Sequence, residues 1–213
     1  MSDRRPRPKD KRKARARGHS RRRGNGLWIG VAVVAVLVVG ILGLRAAGVF
    51  DPPPAEININ DPRFNVGPEG IGEKVDDEGN THVSSGQQVT YRTNPPASGA
   101  HWGAPAGPVP WGIKDSELPE ESVVHNLEHG GIVIWYSGLT DDEVAELQGL
   151  VRALRSQGFN KIILMPYASL QDAKVALTAW TWLLKLDEYD EVPIVQFVKT
   201  RYQPIEAPER NVP

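Results

Sequence analysis

The sequence contains no cysteine, and this absence limits how the protein can be stabilised. None of the 213 residues carries a thiol, so neither a disulfide nor a thiolate metal ligand is available. The stability of any folded domain must therefore come from packing, and a metal ion would need other ligands.

Internal repeats and two common functional motifs are also missing. Ser98 stands in the triplet Ala97-Ser98-Gly99, which lacks the G-x-S-x-G elbow of a serine hydrolase, so we interpret it as a turn residue. The acidic stretch DDEGN at 76–80 lacks the spaced ligands and the closing glutamate of a calcium loop. We interpret that stretch as a solvated acidic loop.

Positive charge is concentrated at one end of the chain. Residues 1–26 hold twelve Lys and Arg against Asp3 and Asp10, a charge of 12 minus 2, or +10, so the remainder carries -11 of the total of -1. A basic tail can bind nucleic acid. Next to a membrane span it is attracted to anionic lipid instead, so we expect lipid as its partner and no nucleic acid.

One long apolar run follows the tail. Residues 27–44, LWIGVAVVAVLVVGILGL, reach the length of a membrane-spanning helix, about 17–25 residues, and the positive-inside rule places residues 1–26 in the cytoplasm. The alternative is a signal peptide cleaved near Ala46 and Ala47, but its apolar core spans about 7–15 residues. The run therefore predicts a retained single-pass anchor in the cell membrane, with the following domain extracytoplasmic.

Proline marks the connection between this anchor and the rest of the chain. Residues 45–70 contain five prolines, three of them consecutive at 52–54, which favours a semi-rigid tether. The predicted organisation is therefore a basic tail at 1–26, a transmembrane helix at 27–44, a tether at 45–70 and an extracytoplasmic domain at 71–213.

Hydrophobic patterns in the last segment predict an α+β domain with a small mixed sheet. The predicted elements are a strand or hairpin at 82–93, a strand at 131–136, a helix from the capping box Thr140–Glu143 to Gly158, a strand at 161–165, a strand at 175–184 and a helix at 190–202. For 175–184 the pattern alone also allows a buried helix. From residue 131 the order is β-α-β-β-α. The first two strands of this core should be parallel, because a right-handed crossover joins them.

Four stretches of this domain resemble a known family. They read TYRTNPPASGAHW, VVHNLEHGGIVIWY, ILMPY and ALTAWTWLLKLDEYD. Together they are similar to the bacterial domain-of-unknown-function 3105 family over roughly residues 80–209. The resemblance implies a membrane-tethered extracytoplasmic domain and no established activity.

The stretch HNLEHGG at 125–131 has the highest density of metal-ligating side chains. On a helix, Glu128 and His129 lie at about 300° and 40° from His125, so the three share one face, while the neighbouring valines and leucine point away. We expect this helix to begin near Pro119 and to end at Gly130. Its polar face should point outward or into a cleft.

The cluster predicts a transition-metal site, because imidazole is a good ligand for zinc and copper. His101 is the expected third ligand, with His82 as an alternative, and Glu128 either ligates or orients an imidazole. A soft Met165 ligand would favour copper. The predicted metal-site residues are His101, His125, Glu128, His129 and Met165.

Two other interpretations of the cluster stay open. A structural His/Glu network would suit a non-catalytic module that binds an unknown envelope protein, since histidine near a helix end interacts with the dipole. The pattern His125-x-x-Glu128-His129 also matches inverzincin zinc hydrolases, with Glu188 or Glu191 as a later ligand. Because Gly130 ends the helix at the motif, we favour metal sequestration, sensing or delivery without turnover.

Overall fold

A computed structural model describes residues 57–213, which form a mixed six-stranded sheet, three α-helices and a separate pair of short strands. The predicted basic tail (1–26) and transmembrane helix (27–44) lie outside the described residues. Within 57–213, none of the helices has the length and apolar character that crossing a membrane requires.

The mixed sheet confirms the predicted α+β class. The strands are β1 (Glu73–Lys74), β2 (His82–Val83), β3 (His101–Trp102), β4 (Gly112–Ile113), β5 (Ile132–Tyr136), β6 (Ile162–Pro166), β7 (Val175–Ala179) and β8 (Trp182–Leu186), and the helices are α1 (Glu120–Glu128), α2 (Asp141–Ser156) and α3 (Glu191–Arg201). The large sheet has the order β1-β8-β7-β5-β6-β4, and β2 pairs with β3 alone.

The predicted crossover unit is present at the centre of the large sheet. β5 and β6 are parallel, with Ile134 opposite Leu164, and α2 connects them. Thr140 and Glu143 form the capping box at the start of α2, which satisfies two backbone donors that a helix start leaves free. Gly158 follows the helix end at a positive φ of 103°, so the predicted stop is also confirmed.

Alternate residues of the strands point to opposite faces of this sheet, as the period of a strand requires. Ile132 and Ile134 belong to the apolar cluster beneath α2 and α3, and we call this the α2–α3 face. Val133 and Trp135 belong to a second apolar cluster beneath α1, and we call this the α1 face. The sheet is therefore covered on both faces.

The described end of the predicted tether belongs to the folded unit. Ile57 and Phe64 are buried in the cluster of the α2–α3 face. Lys199 of α3 donates hydrogen bonds from Nζ to the carbonyls of Ile59 (2.7 Å) and Phe64 (3.2 Å). These contacts fix residues 57–64 against the domain.

The strand or hairpin predicted over 82–93 is wrong for most of its length. β2 ends at Val83, and a turn follows in which Gln87 donates to the carbonyl of Ser84. Beyond it, backbone donors pair with carboxylates instead of a neighbouring strand: Val89 N–H donates to Glu121. Side chains thus satisfy backbone groups that a sheet would otherwise have to pair.

The single strand predicted over 175–184 is a hairpin, so the core contains one strand more than predicted. β7 and β8 are antiparallel, and the chain reverses at Trp180 and Thr181. Thr181 takes a positive φ of 62° and donates its N–H to the carbonyl of Ala97. A threonine rarely marks such a turn, which is why the pattern gave no sign of it.

Candidate metal centre

Helix α1 places the three polar residues of the HNLEHGG motif. It starts after Pro119 and ends at Glu128, with His129 as the C-cap and Gly130 at a positive φ of 76°, as expected from the sequence. Its apolar side faces the core of the α1 face. The polar side is buried as well: His125, Glu128 and His129 are each at most 5% exposed.

Two further histidines reach this helix from the pair of short strands. β2 and β3 are parallel, and their register sets His82 directly opposite His101. The two rings meet edge to face with centroids 4.8 Å apart. His101 is fully buried, whereas the side chain of His82 is 47% exposed.

Three imidazoles converge on one oxygen of Glu128. The distances from Nε2 to Glu128 Oε2 are 3.0 Å for His101, 3.3 Å for His82 and 3.9 Å for His125. Asn80 donates to the other carboxylate oxygen at 2.9 Å and holds the carboxylate in place. We call these three histidines and Glu128 the histidine cluster; their ligand atoms lie within 4.8 Å of one another, so they could hold a metal ion.

Backbone carbonyls determine which nitrogen the two buried rings present. His101 Nδ1 donates to the carbonyl of Gly99 at 2.8 Å, and His125 Nδ1 donates to the carbonyl of Trp102 at 2.7 Å. A carbonyl oxygen can only accept, so Nδ1 must carry the proton. In a neutral imidazole Nε2 then has a free lone pair, and both lone pairs face Glu128.

The environment of His125 favours the neutral ring. Burial lowers the pKa of His125, and the neighbouring histidines lower it further, while the hydrogen bond to the Trp102 carbonyl opposes them. A metal-binding imidazole must be unprotonated. The lowered pKa therefore favours the unprotonated ring of His125, which is the form that can bind a metal ion.

A glycine makes room for the backbone that orients His125. A Cβ at Gly107 would lie 2.7 Å from the carbonyl oxygen of Trp102 and 3.1 Å from His125 Nδ1. Real Cβ atoms do not approach backbone so closely, so no side chain fits here without a shift of Trp102 or His125. The loop that contains Gly107 lies between β3 and β4, and we call it the loop over α1. It thus packs directly against the ring of His125.

His129 points to a different carboxylate from the other histidines. Its Nδ1 donates to the backbone oxygen of Pro213 at 3.0 Å, and its Nε2 lies 3.2 Å from Glu209 Oε2. His125, His129 and Glu209 form a second set of ligand atoms within 4.8 Å of one another, which we call the outer group. The residues of the HNLEHGG motif are therefore divided between two adjacent groups.

Met165 lies among apolar residues. It is fully buried in β6, in the cluster of the α1 face and opposite Trp135. Glu188 and Glu191 line a cleft beside α2 and α3, on the other face of the sheet.

The two groups contain residues that the sequence predicts weakly or not at all. His82 was predicted only as an alternative ligand, although four of the five histidines lie between residues 82 and 129. Neither Asn80 nor Glu209 was identified. Asn80 lies two residues before His82, and this proximity was a weak indication that it belongs to the site. Glu209 lies far along the chain from the histidines, and no pattern in the sequence connects it to them.

Comparison with known proteins identifies the domain but no activity. The model of DUF3105, described as a protein of unknown function, matches residues 82–213. No curated protein and no solved structure matches the chain.

Proposed function

Because the chain belongs to the DUF3105 family of proteins of unknown function, we propose its function from its site: it binds one transition-metal ion in the histidine cluster, without turnover. The role is metal sequestration, sensing or delivery. The ion is copper or zinc, since the cluster offers imidazole and carboxylate donors and no thiolate.

The observation that supports this proposal most is the set of donors that face one another. With Nδ1 of His101 and His125 committed to carbonyls, Nε2 and the Glu128 oxygen are acceptors only a few Å apart. Two facing acceptors repel unless a cation, either a proton or a metal ion, lies between them. Histidine ligands commonly donate a hydrogen bond from their second ring N–H to a backbone carbonyl. The rings of His101 and His125 both do so.

The number of protein ligands favours binding over hydrolysis. Three imidazoles and Glu128 make four ligands, which is the closed set of a structural zinc site, whereas a catalytic zinc keeps one position open. The hydrolase interpretation needs His125 and His129 on one ion with Glu128 as the base. Glu128 instead lies among the imidazoles of the histidine cluster, 3.0 Å from His101 Nε2 and 3.3 Å from His82 Nε2, so it is not free to act as a base and this interpretation has less support.

The cellular setting that we propose follows from the sequence. Residues 27–44 anchor the protein as a single span, residues 1–26 contact anionic lipid in the cytoplasm, and the metal-binding domain is extracytoplasmic. An envelope protein that supplies or receives the ion would be its partner. Fusion of a periplasmic or cytoplasmic reporter to Pro213 would test this topology.

A second candidate function is a metal-free interaction module. It is favoured by the hydrogen bonds that already surround the cluster, since Asn80 holds one oxygen of Glu128 and His101 lies within hydrogen-bonding distance of the other. A proton shared between His101 and Glu128 would complete such a network. The fold would then use the cluster only to fix the loop over α1.

Metal analysis of the full chain separates these candidates. The protein would be purified in detergent, stripped, loaded with Zn(II) or Cu(II), dialysed and analysed for bound metal by mass spectrometry. We expect about one ion per chain in the unaltered protein, the number for a closed four-ligand set. We expect substoichiometric metal in the double variant His101→Asn/His125→Asn, since asparagine keeps the donor to the carbonyl but removes Nε2.

The fifth histidine supplies a matched control. His19→Asn removes a histidine from the predicted cytoplasmic tail and should bind metal as the unaltered protein does. Substoichiometric metal in the unaltered, folded protein would overturn the proposal and favour the interaction module. Retained metal with lost hydrolysis in Glu128→Gln would favour the hydrolase.

A further inference from the structure

The outer group is built as firmly as the histidine cluster beside it. His129 is oriented by the backbone oxygen of Pro213, which accepts from Nδ1, and its Nε2 faces Glu209 at 3.2 Å. Its ring meets that of His125 edge to face, with centroids 4.9 Å apart. His129, His125 and the cluster therefore form a continuous row of imidazoles.

The segment that carries Glu209 is fixed to the end of α1. Glu209 donates its backbone N–H to the carbonyl of Glu128 at 3.0 Å, and Gln203 donates to the carbonyl of Gly130 at 3.0 Å. Lys161 joins the two parts, since its Nζ donates to the carbonyls of His129 (2.9 Å) and Arg210 (3.0 Å). The backbone that carries Glu209 is therefore fixed beside the outer group by contacts on both sides.

His125 belongs to both groups but can serve only one ion at a time. Its Nδ1 donates to the carbonyl of Trp102, which leaves Nε2 as the one free lone pair. An ion in the histidine cluster and an ion in the outer group would compete for that atom. The two positions thus compete for one ligand, as successive binding positions along one path do.

We propose that His125, His129 and Glu209 form a second, transient metal position through which a divalent transition-metal ion enters and leaves the histidine cluster. The inference rests on the proposed function and adds a route to it. The side chain of Glu209 is 43% exposed and meets an ion in solvent, the side chain of His129 is 7% exposed, and His125 transfers the ion inward.

The route has a competitor within the same site. His82 is 47% exposed, so an ion could reach Glu128 from that side without touching His129. The two routes differ in which substitutions slow the exchange of metal. Rates of exchange, in contrast to affinity, therefore decide between them.

Stopped-flow loading and release of Zn(II) test the route in the full chain in detergent. Release would be followed with a chromogenic chelator in excess, and affinity by competition with the same chelator. We expect His129→Asn to slow loading and release alike by about tenfold, equivalent to ~1.4 kcal/mol on each barrier. The dissociation constant, which is the ratio of the two rates, should stay within about twofold.

Glu209→Gln distinguishes ligation from simple attraction of the cation. Loss of a ligand on the path slows loading and release together, whereas loss of electrostatic attraction slows loading alone. We expect both rates to fall. Glu188→Gln, an exposed carboxylate at the α2–α3 face, removes the same charge elsewhere and should leave both rates unchanged.

Three results would overturn the inference. Unchanged rates in His129→Asn would place the route at His82. A weaker affinity with an unchanged loading rate would make His129 a ligand of the bound state, and two ions bound at once would contradict the sharing of His125. In each case the unaltered protein still binds metal, whereas an unaltered protein without metal would overturn the proposed function itself.

Discussion

The α2–α3 face and the α1 face are built on the same strands, since alternate residues of β5 point to each. On the α2–α3 face two regular helices cover an apolar cluster of eighteen buried residues. On the α1 face one nine-residue helix and a long irregular segment cover a smaller cluster and the buried histidines. The α2–α3 face therefore relies on apolar packing, while the α1 face adds single hydrogen bonds between side chains and backbone to its smaller apolar cluster.

The largest effect should come from a cavity on the α2–α3 face. Leu177→Ala truncates a fully buried side chain of that cluster, and such changes cost about 2–5 kcal/mol of unfolding free energy. Urea unfolding of the full chain in detergent would measure it. Ile205, which is 78% exposed, supplies the control, because Ile205→Ala should stay within about 0.5 kcal/mol.

This substitution also tests whether the faces are separate. The metal affinity of folded Leu177→Ala should equal that of the unaltered protein. A loss of metal affinity in Leu177→Ala would show that packing on the α2–α3 face controls the site on the α1 face. The two faces would then not be independent.

Removal of one buried side-chain amide on the α1 face, that of Asn126, should lower the free energy of unfolding almost as much as Leu177→Ala. The buried side chain of Asn126 accepts from Val109 N–H at 2.9 Å and donates to the Val109 carbonyl at 2.8 Å. Asn126→Ala leaves two backbone groups without partners, which costs about 1–3 kcal/mol. Urea unfolding measures it, and exposed Asn160→Ala is the control; equal stabilities for the two variants would refute the view that hydrogen bonds hold this face.

A smaller effect on stability, but a distinct effect on the site, is expected at Gly107. Gly107→Ala forces Trp102 or His125 to move by a few tenths of an ångström or more. We expect zinc affinity to fall about tenfold, as when a ligand's orienting partner is disturbed. Competition with a chelator measures this affinity.

Gly67→Ala is the matched control, since a Cβ there meets nothing within 4 Å. Equal affinity in the two variants would show that the orientation of His125 does not depend on the tight loop.

The smallest change in the free energy of unfolding is expected at Glu120, the carboxylate at the start of α1. Burial raises the pKa of Glu120 above its ordinary value of 4.5, and Glu121 and Glu117 raise it further, against the hydrogen bond from Tyr167. A raised pKa means that the folded state binds the proton more tightly, so this contribution to stability is present below pH 4.5 and is lost as pH rises through the folded pKa.

Glu120→Gln removes that dependence and still accepts from Tyr167. It should therefore stabilise the protein at pH 7 by less than about 1 kcal/mol, because the group is only partly buried and solvent screens it. Unfolding curves at pH 4 and pH 7 test the sign. A variant less stable than the unaltered protein at pH 7 would show that the Tyr167 bond outweighs burial.

The two faces also differ in how far the sequence predicts them. The α2–α3 face follows from periodicity, since the capping box at Thr140, the stop at Gly158 and the parallel β5 and β6 were all predicted. The helix bearing His125 and its end at Gly130 were predicted for the same reason. The helix ends depend on neighbours a few residues apart, and the parallel pairing of β5 and β6 follows from the β-α-β order of the elements.

The rest of the α1 face depends on contacts that no local pattern encodes. Val89 donates to a glutamate of α1 instead of a strand, and Thr181 turns because its N–H meets the carbonyl of Ala97. Glu209 reaches His129 only through the fold. That the histidines come close together was predictable from the sequence, but their division into two groups was not.

The pairing of β2 with β3 has a consequence for how the chain chooses its alignment. This ladder consists of two residue pairs, with His82 opposite His101 and Val83 opposite Trp102. So short a ladder specifies its own register weakly, and a slip by one residue would turn His82 to the opposite side. An ion bound between the two histidines would stabilise only the register that sets them opposite each other. Metal binding would therefore select the register of these two strands.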